Sequence, residues 1–344
     1  MDRQSRLGRR IRACPPIRRA AGFALMALLL GYAAHAPAQA SGTWIAFHTV
    51  RDGDGEIYVM RPDGTGLRNL TRNPSDDRMP MWSSARRQLA FRSNRNDEDA
   101  IYTMNADGSG VRKLLASPPT SRLAWSPDGE RFAFASKRDG NERIYVMDAN
   151  GGRQRRITNG VDTLAYGVAW SPDSRRVAFT SSRNGPRMIF SAEADGQIVD
   201  PTPLVVPAGV EEDPAWSPDG RRVAFLSRRR DWFHKDVWVA DIGGANARNL
   251  TLRPDGAPER DGSGPSWSPY GRRLAYASWL RGEPVFNYEI FVTDALNPDP
   301  TQLTDHPALD LSPVWFDPRG LAVSPLNSRP TTWGWLKGLG ARPR

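Results

Sequence analysis

Three observations predict an all-β fold, a six-bladed β-propeller. The first is a tryptophan-centred motif, clearest in Ala215–Phe225, that recurs along the chain at steps of 43, 45, 46, 51 and 48 residues. A period of about 40–50 residues built from short strands is typical of propeller blades. The second is that each period divides into four strand-like runs, and the third is that the first and last periods are incomplete. The motif tryptophans are Trp82, Trp125, Trp170, Trp216, Trp267 and Trp315.

Each period contains the same four runs. The first strand ends at the tryptophan, and a Ser-Pro-Asp-Gly turn follows in which proline presets φ and glycine takes the left-handed position. The second strand has the pattern of Val223-Ala-Phe225, and its alanine leaves room for close blade-on-blade packing. The third resembles Ile57-Tyr58 and the fourth ends in Leu-Thr, as at Asn249–Thr251. No stretch shows sustained helical periodicity.

The incomplete periods predict how the ring closes. The N-terminal one has strands two to four, from Ile45 to Thr71, and the C-terminal one supplies only Pro313–Trp315. We therefore predict five complete blades and a sixth blade closed by N- and C-terminal strands, which leaves no open sheet edge. Leu321–Val323 is a spare copy of the second strand. The copy at Ile45–Phe47 is favoured because its third and fourth strands follow at once.

Residues 1–40 are predicted to be a cleaved export signal. Seven arginines precede an apolar run over residues 21–34, and Ala38-Gln-Ala40 offers a cleavage site near Ala40. The alternative is a membrane anchor, but fourteen apolar residues are fewer than the about 20 that a span needs. The predicted propeller covers 41–323, and a basic, aromatic tail covers 324–344. The mature chain is expected to be periplasmic or secreted, without a transmembrane segment, and monomeric.

The charge of the mature chain argues against a nucleic-acid partner. The whole chain carries +9, but seven arginines and one acid lie in the first 40 residues, which leaves only +3 after cleavage. The single cysteine, Cys14, leaves with the signal. A disulfide, a thiolate nucleophile and a cysteine–zinc site are therefore excluded from the mature chain.

The repeat resembles that of the TolB-like six-bladed β-propeller family. The shared pattern is Trp-Ser-Pro-Asp-Gly-x-x-Val-Ala-Phe, then Ile-Tyr-Val-Met-Asp-Ala-Asn-Gly, then Leu-Thr, and it covers nearly all of the mature chain. The TolB N-terminal α/β domain has no counterpart between Ala40 and Trp44. The resemblance implies an exported, non-catalytic protein-binding or scaffold module of the cell envelope. It also implies a protein partner such as an envelope lipoprotein, because the TolB propeller receives a peptidoglycan-associated lipoprotein at one mouth of its channel.

The residues offer no catalytic constellation, and we expect no enzyme activity, no cofactor and no metal. The mature histidines His48, His234 and His306 have no paired spacing, and no Gly-x-Ser-x-Gly elbow is present. The alternative is a propeller enzyme, a glycan lyase or hydrolase, with an axial site that the sequence does not reveal. The acidic run from Asp52 to Glu56 lacks the carboxylate spacing of an EF-hand, so we interpret it as a turn.

Binding residues are expected where the repeats differ, because structural positions recur. The segments that lead into the first strands differ most, and loops on a rigid scaffold often carry recognition. The predicted partner-binding residues are Arg78, Arg122, Tyr166, Glu212, Asp213 and Asp310. We expect them in exposed loops, where their replacement leaves stability almost unchanged. Arg228–His234 is a second candidate contact patch. The tail could cap one face of the ring or contact a partner or a membrane.

Overall fold

The structure is a computed structural model that describes residues 42–116, 118, 123–159, 165–183, 185–195, 201–205, 209–228, 235–251, 260–279 and 287–319. For residues 165–166 and 260–263 it describes only the backbone. The predicted export signal, the tail and Leu321–Val323 lie outside the described residues. Within the described residues, no helix is long and apolar enough to cross a membrane.

Twenty-four strands form six four-stranded antiparallel sheets, one for each predicted blade. The first strands of blades 1 to 6 are β4 (Asp77–Ser83), β8 (Leu123–Trp125), β12 (Ala165–Trp170), β16 (Val210–Trp216), β20 (Arg260–Trp267) and β24 (Asp310–Phe316). The second strands are β5 (Gln88–Ser93), β9 (Arg131–Asp139), β13 (Arg176–Ser181), β17 (Arg222–Arg228), β21 (Arg273–Trp279) and β1 (Trp44–Thr49).

The outer half of each blade is shorter. The third strands are β6 (Ala100–Asn105), β10 (Asn141–Asp148), β14 (Met188–Glu193), β18 (Asp236–Asp241), β22 (Tyr288–Asp294) and β2 (Glu56–Met60). The fourth strands are β7 (Arg112–Ala116), β11 (Arg155–Arg156), β15 (Thr202–Pro203), β19 (Arg248–Asn249), β23 (Thr301–Gln302) and β3 (Arg68–Asn69). A short 3-10 turn, Arg95–Asp97, precedes β6. The predicted all-β, six-bladed propeller is confirmed.

The two chain ends close the ring as predicted. β24 is the first strand of blade 6 and pairs antiparallel with β1, with Ile45 opposite Trp315 and Ala46 opposite Val314. β24 also contacts β20 of blade 5 and β4 of blade 1. The N-terminal copy of the second strand is therefore the one that the ring uses.

The hydrophobic core is divided into six clusters, one between each pair of neighbouring blades. Between blades 2 and 3, for example, Ile144 packs with Trp170, Phe179 and Phe190. The second-strand alanines are fully buried, as blade-on-blade packing requires: Ala46, Ala90, Ala133, Ala178, Ala224 and Ala275. Because each blade buries its faces only against its neighbours, no blade has a core of its own.

Each blade presents the same ends of its strands to the same side of the ring. The meander places the turn between strands one and two and the turn between strands three and four on one side, which we call the turn face. The loops between strands two and three lie on the opposite face. In the turn itself, Ser217 Oγ donates to Asp219 at 2.5 Å, the Arg222 N–H donates to Ser217 Oγ at 2.9 Å, and Gly220 adopts φ 69°.

An arginine from one blade covers the motif tryptophan of the next. Arg176 in blade 3 lies 4.8 Å above the ring of Trp216 in blade 4. The same contact, at 4.9 Å, joins Arg131 to Trp170, Arg222 to Trp267 and Arg273 to Trp315. These arginines follow the preceding motif tryptophan by six residues, but the contact between blades was not predicted. It links the repeat to its neighbour through a cation–π interaction.

Ring closure predicts that removal of the shared strand destabilises the whole protein. Deletion of residues from Ser312 onward removes most of β24 and exposes the inner edge of β1, so we expect a sharp fall in melting temperature. Calorimetry of the two chains measures the change. The double variant Trp333→Ser and Trp335→Ser, outside the described ring, is the control and should melt within about a degree or two of the parent. An unchanged melting temperature after the deletion would contradict closure by β24.

The arginine–tryptophan contacts predict a difference between two adjacent arginines. Arg176→Gln removes the cation above Trp216 and should lower the free energy of unfolding by about 0.5–2 kcal/mol. Arg175→Gln changes the same charge at an exposed position that touches no ring, and should cost less than about 0.5 kcal/mol. Urea denaturation of both variants provides the comparison. Equal losses of unfolding free energy in the two variants would show that Arg176 contributes only its net charge and that its contact with the Trp216 ring adds nothing.

Candidate functional site

The first strands line the axis of the ring and share a backbone distortion at the same position. The residue three positions before the motif tryptophan has a positive φ in each blade where it is described: 55° at Met79, 59° at Gly167, 48° at Asp213, 34° at Gly264 and 54° at Ser312. The pairing of each of these first strands with its second strand is irregular at this point. Such a β-bulge re-aims the side chain of the extra residue. We call these five positions the bulge ring.

The bulge ring marks one end of a central cavity of about 620 Å³. The lining begins at Met79, Gly167, Asp213, Gly264 and Ser312 and extends through the motif tryptophans into the turns that follow them. All six blades contribute to this wall. A concave site of this size, mostly apolar with a few polar groups, is the usual form of a binding pocket.

The cavity wall is apolar next to the bulge ring. Proline precedes the motif tryptophan by two residues in four blades, at Pro80, Pro214, Pro265 and Pro313. Proline lacks an N–H donor, and the inner edge of a first strand faces the channel rather than another strand, so no ladder hydrogen bond is lost there. The residues just before the tryptophans include Met81, Ala169, Ala215 and Val314. The motif tryptophans Trp125, Trp170, Trp216, Trp267 and Trp315 are 4–7 % exposed, as expected for packing residues.

Carboxylates enter the wall at the turn end. Burial opposes ionisation of Asp173, but hydrogen bonds from Ser171 Oγ and the Arg175 N–H outweigh it and lower the pKa of Asp173. Hydrogen bonds from Arg319 lower the pKa of Asp317 against its partial burial. Asp128 also lines this end. The lowered pKa values favour the ionised forms of Asp173 and Asp317, and the same hydrogen bonds also fix the turns.

Among the predicted partner-binding residues whose side chains the structure describes, only Asp213 lines the cavity. Its backbone N–H donates to Thr180 Oγ1 of blade 3 at 3.2 Å. A Cβ atom at Gly167 would lie 2.7 Å from Asp213 Oδ1, so the glycine of blade 3 leaves the space that the aspartate of blade 4 fills. Two members of the bulge ring are thus fitted to one another across a blade boundary.

The other predicted residues that the structure describes lie in the first strands rather than in exposed loops. Arg78 is in β4, is exposed and pairs with Asp76. Tyr166 is in β12 with its backbone opposite Thr180, and its side chain lies outside what is described. Arg122 lies outside the described residues, as do residues 229–234 of the second candidate patch. Nothing in the structure brings Arg78 into the cavity wall.

Glu212 is buried, contrary to the expected loop exposure. Its side chain is 3 % exposed and is surrounded by three cations. Arg187 of blade 3 pairs with Oε1, Arg228 Nη1 lies 3.3 Å from Oε1, and Lys235 Nζ lies 3.1 Å from Oε2. Glu212 precedes the motif tryptophan by four residues, at a point where the first strand is already packed against neighbouring strands. Glu212 therefore connects blades 3 and 4.

Asp310 is also buried, in an ion pair on the opposite face. It is fully buried at the start of β24, and its oxygens lie 3.0 and 2.8 Å from Arg51 Nη2. The Arg51 guanidinium also lies 5.0 Å from the centre of the Tyr58 ring. Arg95 and the buried Asp77 repeat the pair at 2.7 Å in blade 1. Because the pair recurs in two blades, it is a structural feature of the repeat.

The acidic run from Asp52 to Glu56 forms part of a turn. Asp52 Oδ2 accepts a hydrogen bond from the Tyr58 hydroxyl at 2.5 Å. Burial of Tyr58 and this hydrogen bond raise its pKa to about 12. Glu56 accepts hydrogen bonds from Thr71 Oγ1 and the Asn73 N–H. Across the part of the chain that the structure describes, no group of three or more His, Cys, Asp or Glu side chains is arranged to hold a metal ion.

Burial of Glu212 predicts a stability loss where the sequence predicted none. Glu212→Ala leaves Arg187, Arg228 and Lys235 together without their shared counter-charge, so we expect a loss of more than about 2 kcal/mol in the free energy of unfolding. The control Arg78→Ala removes an exposed ion pair, which contributes about 0–1 kcal/mol. Guanidinium denaturation measures both. A stability loss for Glu212→Ala no larger than that for Arg78→Ala would contradict the role of Glu212 in connecting blades 3 and 4.

Comparison with known proteins agrees with the fold. Residues 116–205 match the family model described as TolB beta propeller domain. A comparison with curated protein sequences gives no match. The solved structure of TolB from Acinetobacter baumannii is 21 % identical, covers 81 % of this chain and 67 % of its own, and superposes with a TM-score of 0.67.

Two further structures show how widely the fold is shared. A putative TolB from Agrobacterium tumefaciens is 21 % identical over 78 % of this chain and 90 % of its own, with a TM-score of 0.58. A puromycin-hydrolyzing peptidase from Mycobacterium tuberculosis is 17 % identical over 77 % of this chain and 43 % of its own, with a TM-score of 0.51. The chain is therefore a six-bladed β-propeller, and its residues 116–205 match the TolB propeller family model.

Proposed function

We propose that this protein is an exported, non-catalytic β-propeller that binds a protein partner of the cell envelope at its central channel. The observation that carries the proposal is the variation within the bulge ring. Turn and packing positions repeat from blade to blade, whereas this channel-lining position is Met79, Gly167, Asp213, Gly264 and Ser312. A partner that contacts several blades at once requires such a departure from symmetry.

Backbone strain within the bulge ring supports the same site. A positive φ favours glycine, which two of the five blades have, and a non-glycine residue in this region costs of order 1 kcal/mol or more. Met79, Asp213 and Ser312 are held there all the same, and strained residues cluster at binding and active sites. Their side chains therefore have a role that glycine cannot fill. We propose that this role is recognition of the partner.

The remaining predicted residues belong to the proposal in two ways. Arg78, Arg122 and Tyr166 are proposed to contact the partner at the opposite-face mouth of the channel. Glu212 and Asp310 are proposed to act from the same first strands, where their ion pairs hold neighbouring contact residues in position. The export-signal pattern and the TolB resemblance support a periplasmic location.

An enzyme remains the alternative reading of the channel. Its described wall contains serine and aspartate but no histidine to serve as their general base. The likeness to a peptidase concerns the fold alone, at 17 % identity. The mature chain incubated with polysaccharides and peptides, with and without divalent metals, tests this alternative. Turnover of either substrate would overturn the non-catalytic proposal.

The proposal predicts that stability and binding separate at Asp213. Asp213→Gly relieves the positive φ, so the melting temperature should stay level or rise, while partner capture falls by about fivefold or more. Asp213→Asn keeps the shape and tolerates the same φ, and thus isolates the effect of charge. Capture is measured by a photo-crosslinking residue at Met79 in living cells, with a second at the exposed Lys113 on an outer strand as control. Equal crosslinking at both sites, or full capture by Asp213→Gly, would count against the channel.

A further inference from the structure

Exposed apolar side chains are concentrated on one side of the ring. The described residues include five large hydrophobic side chains that are at least 40 % exposed. Four of them, Leu67, Val111, Tyr270 and Leu296, lie on the turn face, at 44, 40, 56 and 54 %. Tyr270 is in a turn between strands one and two, and the other three are in turns between strands three and four. Val50, on the opposite face, is the fifth.

These four side chains also share one half of the turn face. Tyr270 and Leu296 belong to blade 5, Leu67 to blade 6 and Val111 to blade 1, which are consecutive in the closed ring. We call the turn face of blades 5, 6 and 1 the apolar sector. Each side chain stands on a separate turn.

The apolar sector carries the net positive charge of the turn face. Its described turns and the strand ends that flank them hold eight arginines and five carboxylates, whereas the same parts of blades 2, 3 and 4 hold eight of each. The arginines of the sector are Arg61, Arg68, Arg86, Arg87, Arg112, Arg272, Arg273 and Arg319, and the acids are Asp63, Asp107, Asp294, Asp299 and Asp317. Arg61 and Arg68 lie 5.6 and 5.0 Å above the ring of Trp44 at the start of β1. Positive charge and exposed apolar groups therefore coincide.

The C-terminal segment leaves the ring from the same sector. The described chain ends at Arg319, whose guanidinium lies 3.4 Å from the Tyr270 hydroxyl. Residues 320–344 follow, with two tryptophans, Trp333 and Trp335, with four basic residues and with no acid. By its sequence this segment has the same two kinds of side chain as the apolar sector, apolar and basic.

We propose that the apolar sector docks on an anionic lipid bilayer. Isolated apolar side chains on separate turns can enter a bilayer interface, which needs no complementary shape, whereas a protein interface needs a contiguous, well-packed core. Arginine suits phosphate because its fork of donors binds two oxygens, and each cation near an anionic surface adds to the attraction. One weak signal gives only marginal membrane binding, and here the exposed apolar side chains and the arginines act together. This docking is independent of partner binding at the channel.

Vesicle co-sedimentation tests the proposal on the chain from residue 41 to residue 344, because the apolar run of the export signal would bind vesicles by itself. Vesicles of phosphatidylcholine with phosphatidylglycerol should retain the protein, and those of phosphatidylcholine alone should retain about tenfold less. Binding to the anionic vesicles should weaken as NaCl is raised. The double variant Tyr270→Asp and Leu296→Asp should reduce it by about tenfold or more. Val50→Asp, on the opposite face, is the matched control and should bind as the parent does.

Two further sets of variants locate the contact with the vesicles. Arg87→Gln should weaken binding to anionic vesicles, whereas Arg175→Gln, an exposed arginine of blade 3, should not. Trp333→Ser with Trp335→Ser tests the tail separately and should reduce binding less than the sector variants do. Equal losses for Arg87→Gln and Arg175→Gln would overturn the proposal, because binding would follow net charge alone. Loss in the tail variant without loss in the sector variants, or no preference for anionic vesicles, would also overturn it. Asp213→Gly should bind vesicles as the parent does. The outcome of the vesicle test is therefore independent of the outcome of the partner-capture test at the channel.

Discussion

The pairing of β24 with β1 is the constraint on which the rest of the structure depends. Each blade buries its apolar surface only against its two neighbours, so an open array would leave one face of its first blade and one of its last in water. The pairing joins the two chain ends within a single sheet and turns six interfaces into a closed cycle. The cation–π contacts between blades then act as local reinforcement. They recur because each blade meets its neighbour with the same geometry.

The same symmetry separates structural from functional positions. Where six blades make the same contact, one residue type suffices, as with the fully buried second-strand alanines. The bulge ring departs from this rule, because the backbone geometry is shared while the side chains differ. Gly167 makes room for Asp213, so this glycine of the ring is fitted to a side chain of the next blade. A channel with this asymmetry can recognise a shape that has no sixfold symmetry of its own.

The two faces of the ring differ in how their charges are used. On the opposite face, carboxylates are buried with partners, as in Arg51–Asp310, Arg95–Asp77 and the cluster around Glu212. These pairs connect strands and blades, and their removal is expected to reduce stability before it alters binding. On the turn face, several arginines extend into solvent beside exposed apolar side chains. The turn face therefore has the apolar and basic side chains that suit a lipid surface, and the channel has the varied side chains that suit a protein partner.

The sequence by itself determined the number of blades, the order of their strands and the way the ring closes. These features follow from local signals: a tryptophan before a Pro-Asp-Gly turn, alternating strands, and partial repeats at both ends that complete one another. The position of each strand was also predictable, because turn residues and period-two patterns act over a few positions. The exact limits were not, since the fourth strand of blade 4 ends at Asn249 and not at Thr251. The recurrence of the motif tryptophans likewise agrees with their burial in the structure.

Only the tertiary structure decided which of the six predicted binding residues line the channel. Asp213 does, whereas Glu212, its direct neighbour in sequence, is buried among cations from blades 3 and 4. A bulge at Asp213 changes which way successive side chains point, and a single strand pattern contains no signal for it. The burial of Asp310 likewise depends on Arg51, a residue from the other end of the chain. Contacts between blades, bulge geometry and the face that an exposed side chain occupies are set by residues far apart in sequence, and for that reason the sequence could not specify them.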